Sequence, residues 1–253
     1  MLIPIKDVNP TRRFPAVTLG LIAANVLAYL ATSESLLGIG VAEAFRYGAV
    51  PCDVVGNVCN FPHPAITQIV ESRPAILSLF TSMFMHGDIL HIGFNMLFLW
   101  VFGNNVEDRL GQVRFAIFYV VTGLAAAFAH IYASTDSATP IVGASGAISG
   151  ILGAYIILWP TATIVSLVPL GFFFFSVRMP AFVSLGLWFA VQLFSGLAGS
   201  GIEQGDGGVA FWAHVGGFVA GLALIIPFGG RRREHGVLDD DRFDGPDFDD
   251  RFG

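Results

Sequence analysis

Two polar side chains interrupt apolar stretches of this chain where they could do chemistry. Ser145 lies in Ala144-Ser145-Gly146-Ala147-Ile148-Ser149-Gly150, at the start of an apolar segment. His214 lies in Ala213-His214-Val215-Gly216-Gly217, inside a later one. A hydroxyl within reach of an imidazole is the pairing of a nucleophile with its base. Polar groups are expensive inside a bilayer, so an intramembrane imidazole is read first as functional.

The composition supplies the membrane. Of 253 residues, 54% are hydrophobic and 13% charged, about half the charge of an ordinary soluble domain. A spanning helix takes about 20 apolar residues, and six segments approach that length: 16–33, 76–102, 115–133, 144–159, 180–199 and 209–228. The first follows Lys6, Arg12 and Arg13 as a signal peptide would, but Ser33-Glu34-Ser35 is a poor cleavage site. It is read as a retained span. The expected fold is therefore an all-α polytopic membrane protein with six transmembrane helices. An N-terminal segment (1–15) precedes the six-span domain (16–228), which carries an outer loop (34–75). An acidic tail (229–253) follows, of solvated and disordered composition.

With an inside N-terminus, Lys6, Arg12, Arg13, Arg109, Arg114, Arg178, Arg231, Arg232, Arg233, Arg242 and Arg251 fall inside, and only Arg46 and Arg73 outside. This split fits the positive-inside rule and puts both termini in the cytoplasm, with the chain in the plasma (inner) membrane. The basic residues are too few and scattered to suggest a nucleic-acid partner. Cys52 and Cys59 would share the outer loop, where an oxidising compartment allows them to pair; the sequence leaves open whether they do. Residues 160–179, bracketed by Pro160 and Pro180, are too short to span, and either lie in the inner interface or form a hairpin.

Other polar residues fall within the spans. His91 and Asn95 are four apart and share one helix face, with His86 near the same side. They could donate to a developing oxyanion, or only hold helices together by hydrogen bonding. Ser145, after Pro140-Ile141-Val142-Gly143, falls in the first turn of a helix, where free N–H groups and the helix dipole favour negative charge. It could equally be an N-cap, and Ser145 and Ser149 could be small packing residues. His86, His91 and His214 could converge on a metal, but no HExxH is present and the spans lack a nearby acidic ligand; neither metal nor cofactor is expected. Small-xxx-small patterns of Gly146, Gly150 and Gly153 in one span and Gly217 and Gly221 in another would let two helices approach closely.

Taken in order, these motifs resemble the rhomboid family of intramembrane serine proteases. The matching residues are His91-Ile92-Gly93-Phe94-Asn95, Glu107-Asp108-Arg109-Leu110-Gly111, Gly143-Ala144-Ser145-Gly146, and Ala213-His214-Val215-Gly216-Gly217 with Gly221. The resemblance implies an endopeptidase that cleaves transmembrane segments of other membrane proteins. Ser145 would be the nucleophile and His214 the base, as a dyad. His91, Asn95 and the Ser145 backbone N–H would form the oxyanion hole. Gly143, Gly217 and Gly221 would be structural positions. Glu107 and Arg109 would brace an inner turn, and Trp188 and Gln192 resemble the face that admits substrate.

Two departures stand out. Arg73-Pro74-Ala75-Ile76 lacks the tryptophan that many members carry in the outer loop. Ser149 occupies the place where many bacterial members have a tyrosine stacked under the histidine. Something else would then have to hold the imidazole, for example an aromatic such as Phe211, Trp212 or Phe218. Two rival classes remain: an inactive rhomboid-like protein that binds or escorts membrane clients, and a transporter with polar residues lining a pore. No internal repeat supports the transporter.

Overall fold

The computed structural model describes residues 3–35, 38–170, 173–199 and 210–229. The tail expected beyond residue 229, with Arg231, Arg232 and Arg233, lies outside them. The core is built around one helix, α9 (Ser145–Leu158), whose residues Gly146 to Tyr155 are all buried. A helix apolar on every side must be enclosed by others. It is packed by α8 (Gln112–Ala133), α10 (Ala181–Gly199), α11 (Phe211–Leu224) and a continuous helix over Ile89–Leu110. That last helix comprises α6 (Ile89–Phe98), a π-helical turn (Leu99–Gly103) and α7 (Asn104–Leu110). Tyr119, Tyr155, Phe102, Phe115 and Phe118 are fully buried in this core.

Among the described residues, three helices are long and apolar enough to cross a bilayer: Ile89–Leu110, Gln112–Ala133 and Ala181–Ala198. The apolar helices α1 (Ala16–Thr32), α9 and α11 are shorter. Most of the expected segments match helices within a few residues, but the second, expected over 76–102, does not. It is split into α5 (Ala75–Thr81) with a 3-10 turn (Ser82–Phe84), then the helix from Ile89. The reason is local. Met85 is extended, and the Asp88 side chain caps α6 by accepting from the N–H groups of Leu90 and His91, both at 2.8 Å. A cap of this kind starts a new helix rather than continuing the old one.

The expectation of an all-α chain is corrected. Strands β4 (Thr163–Leu170) and β5 (Phe173–Pro180) form an antiparallel hairpin. β1 (Ile3–Asp7) adds to its other edge, pairing Ile3 with Leu167 and Asp7 with Ile164. Residues 160–179, left undecided between an interfacial stretch and a hairpin, are thus a hairpin. The stretch is rich in β-branched and aromatic residues, and Pro180 ends its strand. Phe173, Phe174 and Phe175 are exposed, so both faces of β5 are apolar at this end. The short strands β2 (Ser33–Ser35) and β3 (Gly38–Ile39) pair separately.

The N-terminal residues are fastened to the helix ends far from Ser145. Tyr155 Oη and Asn105 Nδ2 each donate to Asp7 Oδ2 at 2.7 Å. Burial pushes the Asp7 carboxyl above its ordinary value, against these two hydrogen bonds, which favour the ionised form. Glu107, buried in α7, accepts at the start of α1 from Val17 N (2.9 Å), Thr18 N (2.7 Å) and Thr18 Oγ1 (2.7 Å). The two backbone N–H groups are donors the first turn of a helix cannot satisfy itself.

The segment between α1 and α5 is folded too. It contains α2 (Val41–Tyr47), α3 (Pro51–Val55) and α4 (Pro64–Glu71). Cys52 and Cys59 form a disulfide with Cα atoms 5.6 Å apart. Without a nearby tryptophan, Arg73 organises the loop through Phe45 O (3.0 Å), Gly48 O (3.2 Å) and Asp53 (3.4 Å).

Glu107 is the most demanding of these links, because its loss leaves buried donors without an acceptor. Glu107→Ala is expected to lower unfolding stability in mild detergent by about 3 kcal/mol, with Glu107→Gln intermediate. An unchanged unfolding midpoint for the alanine variant would mean that α1 does not depend on this cap.

Candidate active site

Ser145 is the first residue of α9, and the chain entering it is held on both sides. Ala49 and Ile141 exchange backbone hydrogen bonds (3.1 and 2.8 Å), and Gly143 N donates to Ser82 O at 2.9 Å. Gly143 has φ +127°, and a Cβ there would lie 2.8 Å from His91 Nε2. A side chain would therefore be strained by the backbone and would press on His91 as well. Among the described residues no side chain caps α9, whose N-cap position is Ala144. The first-turn N–H groups thus meet the site without a serine or aspartate cap in front of them.

His214 lies in the first turn of α11, is 9% exposed, and places Nε2 2.8 Å from Ser145 Oγ. That is within the reach a base needs for the proton it takes. Two backbone contacts set the separation. A Cβ on Gly217 would overlap the carbonyl oxygen of Gly146, and one on Gly221 would overlap that of Gly150. α9 and α11 therefore touch backbone to backbone, one turn from the two polar side chains.

His91 Nδ1 accepts from Gly87 N at 3.3 Å, which leaves Nε2 to carry the ring proton beside Gly143. Asn95 Nδ2 donates to His91 O at 2.9 Å, keeping its second N–H for another acceptor. His91, Asn95, Ser145 and His214 line one cavity of 1040 Å³. His86 is buried with its ring 5.1 Å from that of His91, and it packs behind the cavity rather than lining it. Glu107 and Arg109 lie in α7, outside the cavity lining.

The imidazole is not held as the sequence suggested. Trp188 lies beside it, with ring centroids 5.9 Å apart, and Gln192 Oε1 is 2.8 Å from His214 Nδ1. Phe218 instead packs on Trp188 and Phe189. Ser149, in the place of the absent tyrosine, turns its hydroxyl back onto Ser145 O at 2.6 Å. Trp188 and Gln192 are one turn apart on α10 and face the site together. A lone glutamine one turn from a tryptophan in an apolar segment was the available signal. His130, which also lines the cavity, was missed, since nothing in the spacing around it marks it.

Fold and site together define an integral membrane protein of mostly helical build, with a serine–histidine pair between two closely packed helices. The chain belongs to the rhomboid family: the family model of the rhomboid domain matches residues 73–231. Over 150 residues it is 31% identical to mitochondrial Rhomboid protein 1 of Saccharomyces cerevisiae, covering 58% of this chain and 40% of that protein. It is 34% identical over 152 residues to Rhomboid protease GluP of Bacillus subtilis, covering 60% of this chain and 27% of the relative. It is also 34% identical over 116 residues to Inactive rhomboid protein 1 of Drosophila melanogaster, covering 46% of this chain and 8% of the relative. The matched region thus spans well under half of each of these relatives.

The backbone contact between α9 and α11 yields a direct test. Gly217→Ala should destabilise the fold by about 1–3 kcal/mol, the usual cost of overpacking. Gly20→Ala, where a Cβ meets nothing within 4 Å, should be neutral or slightly stabilising. Equal unfolding midpoints for the two variants would refute the close contact.

Proposed function

We propose that this protein is an intramembrane serine endopeptidase that cleaves transmembrane segments of other membrane proteins. The observation that carries the reading is the 2.8 Å approach of His214 Nε2 to Ser145 Oγ at the edge of a cavity. In the proposed reaction Ser145 Oγ attacks the scissile carbonyl carbon while its proton passes to His214 Nε2. The carbonyl electron pair moves onto oxygen, to which His91 Nε2–H, the Asn95 amide and the Ser145 backbone N–H would donate. His214 then gives its proton to the departing amine as the C–N bond breaks. Water, with the same base, releases the acyl group. No cofactor or metal takes part.

The proposed topology has six spans over residues 16–228, both termini in the cytoplasm and the loop 34–75 outside, in the plasma (inner) membrane. A cytoplasmic segment 1–15 and an acidic cytoplasmic tail 229–253 flank the domain. The eleven-to-two split of Lys and Arg supports this orientation. Single cysteines placed in residues 234–250 should resist membrane-impermeant thiol reagents in intact cells; labelling from outside would reverse the orientation.

The second reading, a rhomboid-like protein that binds membrane clients without cutting them, is favoured by the likeness to the inactive Drosophila relative. A fluorophosphonate probe and a single-span substrate in proteoliposomes separate the two. Ser145→Ala and His214→Ala should each abolish cleavage, with the double variant no worse than either, because a nucleophile and its base act as a unit. Asn95→Ala should lower kcat by up to about 10²-fold with little change in KM. Wild-type protein that neither takes the probe nor cuts would establish the binding reading.

A further inference from the structure

We propose that Gln192 is a positioning residue: it locks His214 in the one tautomer that leaves Nε2 free to act as a base. The inference rests on the protease reading for its meaning, but its geometry stands by itself. His214 is bonded at both ring nitrogens, Nε2 to Ser145 Oγ and Nδ1 to Gln192 Oε1, each at 2.8 Å. A neutral imidazole has a single ring proton, so one nitrogen donates and the other accepts. A carbonyl oxygen can only accept. Facing Nδ1, it requires the proton there, and Nε2 is then a lone pair directed at the serine hydroxyl.

The opposite arrangement shows what is at stake. If nothing favoured a proton on Nδ1, the ring could carry it on Nε2 and donate to Ser145 Oγ. The serine would then have an oxygen acceptor already engaged and no group to receive its proton. The histidine would be present at the right distance and chemically useless as a base. Choosing the tautomer is thus a separate requirement from choosing the distance, and α11 alone meets only the second.

The same bond serves during the reaction. When Nε2 takes the serine proton the ring becomes a cation with N–H at both positions. Nδ1–H still donates to Gln192 Oε1, and the negative end of the amide dipole faces the new charge. Gln192 gains and loses no proton; when Nε2 passes its proton to the leaving amine, the ring returns to its starting tautomer. The amide stands where a carboxylate stands in water-soluble serine proteases, where an amide in its place selects the wrong tautomer and costs about 10⁴ in kcat. Here the amide presents its oxygen, so it can hold the ring without placing a charge in an apolar bundle.

α10 is shaped for this. Trp188 and Gln192 are one turn apart, so the indole flanks the ring while the amide meets its edge. Trp188 is in turn packed against Phe218 of α11. The polar contact therefore lies beside an aromatic pair that spans α10 and α11.

The test uses the full-length protein in lipid nanodiscs with ¹⁵N-labelled histidine, the His214 signals being identified by their loss in His214→Ala. Wild type and Ser145→Ala should show His214 protonated on Nδ1, and Gln192→Met should show a mixture or the other tautomer. In cleavage of a single-span substrate, Gln192→Met should lower kcat about ten- to a hundredfold with KM little changed. Gln192→Asn, which keeps an amide oxygen on a shorter arm, should recover part of that loss. A wild-type His214 protonated on Nε2 would overturn the proposal, as would a Gln192→Met protein with unaltered tautomer and kcat. A ring locked on Nδ1 by Gln192 in a protein that cleaves nothing would leave the positioning role standing and bring down the protease reading alone.

Discussion

The arrangement depends on two helices touching through their backbones. Gly217 lies against the carbonyl of Gly146, and Gly221 against that of Gly150, so α9 and α11 approach as closely as main chains can. In lipid there is little hydrophobic gain from bringing two apolar helices together, so packing of this closeness and polar contacts must do it. The consequence for the site is geometric. Ser145 begins α9 and His214 sits in the first turn of α11, so the helix contact sets the gap between hydroxyl and imidazole. Larger residues at the contact would widen that gap.

A close pair of helices still needs its ends fixed, and the chain does this differently at each end. Near Ser145 the fastening is backbone: the Ala49–Ile141 bridge and the bond from Gly143 to Ser82 hold the approach to α9. The segment between α1 and α5 that supplies Ala49 is closed by the Cys52–Cys59 disulfide and by Arg73. At the opposite end the fastening is carboxylate: Glu107 holds the start of α1, and Asp7 ties β1 to Tyr155 and Asn105. Acidic groups can serve there because each has donors at 2.7 Å to offset its burial. Among the described residues that line the cavity, Asp88, which caps α6 from its exposed end, is the one carboxylate.

Much of this was legible in the sequence, and the failures have physical reasons. Ser145, His214, His91 and Asn95 were readable because polar residues inside apolar segments are few and each stands out. The glycine contact was readable because small residues at fixed spacing have one main use between helices. Hydropathy alone could not place the break at residues 85–88, because the apolar average runs across a four-residue interruption that the Asp88 cap decides. The sheet was hidden for another reason. β4 and β5 resemble an interfacial apolar stretch, and their partner β1 lies far away in sequence, so only the pairing reveals the strand. The holder of His214 was sought among aromatics on its own helix. A helix orients its first-turn side chains away from itself, and the groups that meet them belong to a neighbour, here Trp188 and Gln192 of α10.

Among the described residues, it is this neighbour and not an acid that meets Nδ1 of His214. A carboxylate bonded to Nδ1 would hold the ring and strengthen the base, but it would have to remain ionised in a bundle where most surroundings are apolar, at a cost of several kcal/mol. The carboxylates at the far end each gather two or three donors. His214 offers one N–H, which is too little to offset a buried charge. A glutamine asks less: its amide needs only hydrogen bonds, and its oxygen gives the same directional preference for a proton on Nδ1. The electrostatic help is smaller, and on the proposed mechanism the deficit falls to donors on the other side of the reacting carbon, at His91, Asn95 and the start of α9. Such a site would rest on the placement of neutral dipoles rather than on buried charge, which is the form of electrostatic stabilisation that an apolar membrane interior penalises least.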